Sequence, residues 1–144
     1  MSKQREEFNL SLPLDDTLSA CLEAAATSGW RVLQHSRTRL ICKEAKFIGW
    51  TTFPVKVVIA LSSDAAYATK VILNGSNWGL GPIQSAHVRE QVAFLRDTIQ
   101  SLASVRRQRS NHLVANLETL VELHTKGTLS DEEFQAAKSK IVGK

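Results

Sequence analysis

The chain has 144 residues, of which 43% are hydrophobic and 22% charged, a composition typical of globular proteins that fold in water. It has no apolar run near the roughly 20 residues that span a bilayer, and its polar start does not resemble a signal peptide. We therefore expect a cytoplasmic protein without membrane contact. Cys21 and Cys42 lack metal-ligand spacing and stand among apolar neighbours, which predicts buried, reduced thiols.

The first half of the chain has the pattern of several strands and one helix. Residues 7–12 set Phe8 and Leu10 between polar neighbours and predict a strand that Pro13 ends. Apolar residues at helical spacing then predict a helix that Gly29 closes. Residues 30–35 and 38–45 predict a hairpin, and the strongest strand, 52–62, returns through a turn into 66–74. Pro54 indicates that its strand begins at a sheet edge or with a bulge.

A long helix is predicted after the glycine-rich loop 75–82. Pro82 suits the first helical position, and neither glycine nor proline follows before Gly127. The seam of apolar residues stops where arginines begin, at position 106. We expect a break or bend near Ser110, the alternative being a helix that continues as an exposed rod. The seam has alternating steps of four and three residues: Val88, Val92, Leu95, Ile99 and Leu102.

The predicted order is β-α-β-β-β-β-α, an antiparallel sheet packed on a long helix, which defines an α+β fold. By element order it resembles the helix-grip arrangement of small bacterial domains, which implies that one sheet face is buried against the long helix. We expect three parts: an α+β domain at 1–105, a basic linker or helix continuation at 106–111, and a helical hairpin at 112–144. The buried face of strand 52–62 is expected to carry five residues: Phe53, Val55, Val57, Ile59 and Leu61.

The most specific local pattern lies between residues 123 and 134, where one helix ends and another begins. Gly127 suits the left-handed position just after a helix. Ser130 and Glu133 have the spacing of a capping box, and Leu129 and Phe134 that of a hydrophobic staple. The sequence therefore predicts a two-helix hairpin. About thirty residues cannot offset their chain entropy alone, so the hairpin must dock on its own domain, on another copy or on a partner.

The same segment resembles the SHOCT domain, a short C-terminal domain of many bacterial proteins. The resemblance rests on the leucines at 117, 120 and 123, on Gly127, on the run LSDEEF at 129–134, and on the aliphatic pair at 141–142. It implies an accessory module that serves oligomerisation or nucleic-acid binding and has no catalytic residues. Our first hypothesis is therefore a non-enzymatic bacterial module that binds itself or another protein. The expected docking residues are Leu117, Leu120, Leu123, Leu129, Phe134 and Ile141.

A second hypothesis is binding to nucleic acid or to an acidic partner, because basic charge is unevenly spread. Residues 65–110 contain six basic and two acidic residues, whereas the hairpin contains four basic and five acidic ones. The alternative is an ordinary solvated sheet face and a solvated helix end. No ladder of exposed aromatic residues supports binding to single strands. The candidate contacts are Arg106, Arg107, Arg109, Arg39, Lys43 and Lys56, with Arg37 and Lys70 expected beside the last three.

The sequence shows no pattern of catalytic or metal-binding residues. The loop 75–81 lacks the lysine and Ser/Thr pattern of a phosphate-binding loop, so a tight strand-to-helix turn fits it better. The four histidines have no metal-ligand spacing, and no serine or cysteine lies in a nucleophile elbow. We expect no enzyme activity, no cofactor and no metal. A third hypothesis, a small apolar ligand under the long helix, follows from the helix-grip resemblance alone.

Overall fold

The computed structural model describes residues 1–45 and 52–143, which form five strands and three helices. The α+β class and the element order predicted from the sequence are confirmed, including the two helices of the C-terminal hairpin. In chain order the elements are β1 (Ser2–Leu10), α1 (Leu14–Thr27), β2 (Trp30–His35), β3 (Arg39–Glu44), β4 (Lys56–Ala65), β5 (Ala68–Asn77), α2 (Pro82–Thr125) and α3 (Asp131–Val142).

The described strands form one antiparallel sheet in the order β1-β5-β4-β3-β2. β1 and β2 are therefore the edges, and β5, β4 and β3 are the central strands. Because alternate residues point to opposite faces, β4 buries Val57, Ile59 and Leu61 on one face and exposes Lys56 on the other. One face of the sheet is packed in the core, and the opposite, outer face meets water.

The first part of α2 packs on the inner sheet face along the seam that its sequence spacing predicted. Val88, Val92, Leu95 and Ile99 are fully buried and belong to the same hydrophobic core as the strand residues, while Leu102 is partly buried. Steps of four and three residues keep these side chains on one side of the helix. The long helix and the sheet thus share one core.

Gly75 on β5 determines how closely α2 approaches the sheet. A Cβ atom built at this position would lie 2.3 Å from Cγ2 of Val92 and 3.3 Å from Cγ1 of Val88. Close-packed interiors do not tolerate contacts as short as the first, so glycine leaves the space that the valine methyl groups occupy. Helix and sheet are in direct contact here, and no space remains for a ligand between them at this point.

Three strands differ from the sequence prediction by two or more residues. β5 runs to Asn77, because its backbone pairs with β1 as far as Ser2, whereas we predicted a loop from residue 75. β1 and β4 differ at their first residues. β1 starts at Ser2 rather than at residue 7. Its backbone pairs with β5 from the Ser2–Asn77 pair onward, and this pairing does not depend on the polarity of the side chains. β4 starts at Lys56, after Pro54, which has no N–H to donate to a neighbouring strand. Phe53 consequently lies outside the strand and is 50% exposed, whereas we predicted it on the buried face.

α2 runs unbroken from Pro82 to Thr125, so the break that we expected near Ser110 is absent. Serine and asparagine inside a helix cost only about 0.5 kcal/mol each relative to alanine, and no glycine or proline interrupts the backbone hydrogen bonds. Internal contacts divide the chain into two compact units, Met1–Ser104 and the remainder from Val105. Across the described ranges, no helix is long and apolar enough to cross a membrane.

Candidate functional site

The turn between α2 and α3 has the hydrogen bonds of a tightly defined helix end. The Gly127 N–H donates to the His124 carbonyl, and the Thr128 N–H donates to the Leu123 carbonyl, each at 3.0 Å. Together these two bonds form a Schellman motif. Gly127 has a φ of 76°, the left-handed conformation that this motif requires and that glycine adopts without strain.

The start of α3 is capped as the sequence predicted. The Glu133 N–H donates to Ser130 Oγ at 3.2 Å, and the Ser130 N–H donates to Glu133 Oε2 at 3.0 Å, which confirms the capping box. His124 then ties the two helices together. Its ring stacks on Phe134 with centroids 4.5 Å apart, and its Nε2 lies 2.5 Å from Asp131 Oδ1. The hairpin is therefore defined by polar contacts as well as by apolar ones.

The apolar side chains of the second unit remain partly exposed. The six residues predicted to mediate docking, at positions 117, 120, 123, 129, 134 and 141, are all half-buried. α3 has no buried residue among those described, and on α2 Val114 and Val121 are each 53% exposed. Two helices alone are too small to enclose such side chains. The unit therefore presents apolar surface to water.

Val114 and Val121 belong to a strip of α2 that also carries charges of both signs. Arg107, Val114 and Val121 follow one another at steps of seven residues, about two helical turns, and so lie on the same side of the helix. Glu118 lies four residues after Val114, and Glu122 lies four residues after Glu118, so both share that half of the helix. We call these five residues the α2 stripe. Its basic residue, Arg107, precedes Val114, and its acidic residues, Glu118 and Glu122, follow Val114.

The outer face of the sheet aligns basic side chains in a row that crosses all five strands. Lys3 of β1 lies opposite Ser76 of β5, Ser76 opposite Lys56 of β4, Lys56 opposite Lys43 of β3, and Lys43 opposite Arg31 of β2. We call the four cations, Lys3, Lys56, Lys43 and Arg31, the basic row. With neighbouring strands about 4.8 Å apart, the row spans about 19 Å.

Open grooves lie at both ends of the basic row. A groove of about 500 Å³ near β1 is lined by residues that include Lys3, Arg5 and Ser76. A second groove, of about 360 Å³, lies near β2 and is lined by residues that include Arg31 and Lys43. Three of the four cations, Lys3, Arg31 and Lys43, therefore border concave surface that a ligand can reach from solvent.

The charges of the basic row are not compensated by acidic neighbours. Within the described residues, none of its four cations forms an ion pair. Elsewhere on the same face, Glu7 lies 2.5 Å from Lys70 Nζ and 3.3 Å from Arg5 Nη2. The hydrogen bond from Lys70, with the nearby charges of Lys70 and Arg5, lowers the pKa of Glu7. The row thus aligns four positive charges that no described carboxylate pairs with.

A separate polar cluster joins the start of α2 to the strands. Gln84 Oε1 accepts hydrogen bonds from Asn77 Nδ2 at 2.9 Å and from the Phe53 N–H at 3.2 Å. His87 Nε2 lies 3.1 Å from Glu44 Oε2, and both side chains are largely buried. These bonds satisfy polar groups at the end of the core and hold the helix start against β3 and β5. Sequence reasoning missed the cluster, because its members are far apart in the chain.

The two cysteines are buried free thiols, as the sequence predicted. Burial raises the pKa of the Cys21 thiol to about 12, with a smaller contribution from Cys42, and burial raises the pKa of Cys42 to about 12 as well. Both thiols are therefore protonated near neutral pH and are poor nucleophiles. No three described histidine, cysteine, aspartate or glutamate side chains form a group that could hold a metal ion.

Solved structures resemble the sheet and helices of the first unit. The solution structure of the Aha1 dimer from Colwellia psychrerythraea is 11% identical, covers 69% of this chain and 94% of its own, and has a TM-score of 0.51. The first unit has the helix-grip fold. The Zhui aromatase/cyclase from Streptomyces sp. R1128 is 8% identical and covers 72% of this chain and 94% of its own, with a TM-score of 0.44. Neither a protein-family model nor a curated protein matches the chain.

The helix-grip unit brings two of the sequence candidates together. Lys43 and Lys56 lie directly opposite each other in the basic row, and Arg39 lies on the same outer face, nearer the other end of β3. Arg37, which we expected beside them, precedes β3 and instead pairs with Asp15 of α1 at 3.0 Å. Its position outside the strand removes it from the period-two alternation that we had assumed.

Two members of the basic row escaped sequence reasoning. Lys3 was missed because we expected β1 to begin at residue 7, and Arg31 because the hairpin prediction did not include the register that sets it opposite Lys43. The alternation of Lys3, Arg5 and Glu7 at a period of two would have shown that β1 starts earlier. The arginines at 106, 107 and 109 belong to the second unit, so they and the basic row lie in different units.

Proposed function

We propose that the protein is a non-catalytic, cytoplasmic bacterial interaction module that self-associates through its C-terminal hairpin. The observation that carries this proposal is the apolar surface of the second unit, where α3 has no buried residue among those described and Val114 and Val121 are half exposed. Burial of apolar surface contributes about 25 cal/mol per Å². A second copy would supply the cover that two helices cannot give each other.

The α2 stripe favours a second copy of this chain over an unrelated partner. In an antiparallel pair centred on Val114, Arg107 of one copy lies beside Glu118 of the other and near Glu122, which is already paired with Lys126 of its own chain. The two Val114 side chains then meet at the two-fold axis, and Val121 packs on the aliphatic part of Arg107. Such an interface is self-complementary, and each contact occurs twice. A partner of a single charge sign would repel one end of the stripe.

Two further observations support self-association. The hairpin sequence resembles the SHOCT domain, although no protein-family model matches it, and that resemblance implies an accessory module for oligomerisation; the capping box at Ser130 and Glu133 belongs to the resembling segment. The solved Aha1 relative is described as a dimer, although its likeness concerns the helix-grip unit. Neither observation requires a catalytic group or a cofactor.

The proposal is tested by placing a lysine in the α2 stripe of the full chain. Val121→Lys puts a charge where the second copy is expected to bury a methyl surface, so the dimer dissociation constant should rise at least about tenfold. Thr119→Lys is the matched control, since Thr119 is exposed and lies two residues before Val121, on nearly the opposite side of α2 from it. Both changes replace a β-branched residue by lysine at an exposed helical position, so charge and helix propensity change alike.

Dissociation would be measured by analytical ultracentrifugation over a concentration series. The proposal predicts that Val121→Lys weakens the dimer and that Thr119→Lys leaves it unchanged. Equal weakening by both substitutions would show a general charge effect, and an unchanged dimer with Val121→Lys would place the interface elsewhere. Circular dichroism of both variants should show the same helix content as the unmodified chain.

A further inference from the structure

We propose that the basic row on the outer face of the helix-grip unit binds the phosphate backbone of double-stranded nucleic acid through charge and without reading the base sequence. The basic row lies in the first unit and the α2 stripe in the second. This inference therefore does not rest on self-association.

The position of the row in the sheet argues against an ordinary protective role. Lysines on edge strands discourage edge-to-edge aggregation, and that role accounts for Lys3 on β1 and Arg31 on β2. It does not account for Lys43 and Lys56, because β3 and β4 are central strands whose backbones are already paired on both sides. Their charges face solvent where no edge needs protection.

The register of the row also opposes stability. Like charges directly opposite each other on neighbouring strands are destabilising, and the row contains two such pairs, Lys56 with Lys43 and Lys43 with Arg31. The charge of Glu7 is compensated by both Lys70 and Arg5, but no carboxylate among residues 1–45 and 52–143 pairs with the row. A polyanion is the ligand that would relieve this repulsion at every position at once.

The chemistry of the face favours phosphates over bases. The outward positions of the described strands carry no aromatic side chain on which an unpaired base could stack, which removes the main affinity of single-strand binders. A duplex carries about one charge per 1.7 Å of axis, twice the density of one of its strands, so a site that acts by charge prefers the duplex. Ser76 lies within the row and Asn74 beside it, where both can donate hydrogen bonds to phosphate oxygens.

The expected salt dependence follows from the number of cations. Four phosphate contacts predict a slope of log affinity against log salt concentration of about −3.6 for duplex DNA. Removal of two of them should bring the slope to about −1.8. By the same relation each contact contributes about eightfold to affinity at 0.1 M salt, so the loss of two contacts should weaken binding about 60-fold.

The test is fluorescence anisotropy of a mixed-sequence DNA duplex with the full chain, between 50 and 200 mM salt. The variant is Lys43→Gln with Lys56→Gln. The control is Arg89→Gln with Lys138→Gln, which removes the same charge from exposed positions outside the row that form no ion pair within the described residues. Both double variants should keep the solution mass of the unmodified chain. The control should also keep its thermal unfolding midpoint, and the row variant should unfold at the same temperature or higher, because it removes both like-charge pairs.

The proposal expects the loss of affinity and of salt slope in the row variant alone, with equal affinity for duplexes of different sequence. Equal loss in the control would show a non-local effect of net charge and would overturn it. Tighter binding to single strands than to duplex would also overturn it, as would binding to phosphatidylserine vesicles without binding to duplex. A further contradicting result is loss of binding with Arg107→Gln and Arg109→Gln while the row variant binds normally.

Discussion

An exchange of charges along the α2 stripe tests the antiparallel arrangement of two copies. In that arrangement Arg107 of each copy faces Glu118 of the other, so a dimer holds two such ion pairs. Exposed ion pairs contribute about 0.2–1 kcal/mol each. Arg107→Glu turns both attractions into repulsions of similar size, which should cost about 1–3 kcal/mol of association free energy, or about a 5- to 150-fold rise in the dissociation constant.

The exchange of both charges should restore the dimer. With Arg107→Glu and Glu118→Arg together, each new glutamate faces a new arginine, and the dissociation constant should return to within about threefold of the unmodified value. Within one chain the two residues are eleven positions apart, about 16 Å along the helix, and cannot pair. Rescue therefore has to occur between copies.

The assay is analytical ultracentrifugation at low and high salt, with Arg89→Glu as a control that reverses an exposed charge on the same helix but in the first unit. The effect of Arg107→Glu should shrink at high salt, because exposed charges are then screened within a few ångströms. The reasoning is refuted if the doubly exchanged chain dissociates as readily as the Arg107→Glu chain, or if Arg89→Glu weakens the dimer equally.

Three further changes test the fold. Gly75→Ala should lower the free energy of unfolding, measured by urea titration, by about 1–3 kcal/mol, because the added Cβ meets Val92. When Val92→Ala is added, the total loss should be clearly less than the sum of the losses of the two single variants. Additive losses would contradict the close approach of α2 to the sheet. Ser130→Ala should cost about 1 kcal/mol by removing the α3 cap, with helix loss seen by circular dichroism. Cys21 and Cys42 should react with a thiol reagent at pH 8 only after unfolding, and rapid labelling of the folded chain would contradict their burial. Their pKa in the folded chain, about 12, exceeds the ordinary value of 9.0, so the free energy of unfolding should fall as the pH rises from about 9 to 12.

Local sequence patterns were sufficient where a few neighbouring residues determine the structure. The hairpin turn was predicted from local residues, because Gly127 ends α2 by a hydrogen bond to His124 and because Ser130 and Glu133 satisfy each other's backbone N–H groups at the start of α3. The seam of Val88 and Val92 likewise identified the buried side of α2 from its spacing alone.

Sequence patterns failed where pairing between distant segments decides the outcome. The first five residues of β1 are all polar, and only the ladder with β5 holds them in a strand, so no apolar pattern places Lys3 in the candidate site. The basic row depends on the register of four strand pairs, and a shift of one residue in any of them would turn its side chain to the other face. The Gln84 and Asn77 contact depends on the packing of α2 for the same reason.

The most direct test of the central claim is the solution mass of the unmodified full chain by light scattering across a range of concentrations. One chain has a mass of 15.9 kDa. Self-association through the hairpin predicts a two-fold symmetric dimer of about 32 kDa at high concentration, which falls towards the mass of one chain on dilution. A mass of 15.9 kDa at every concentration would contradict the account.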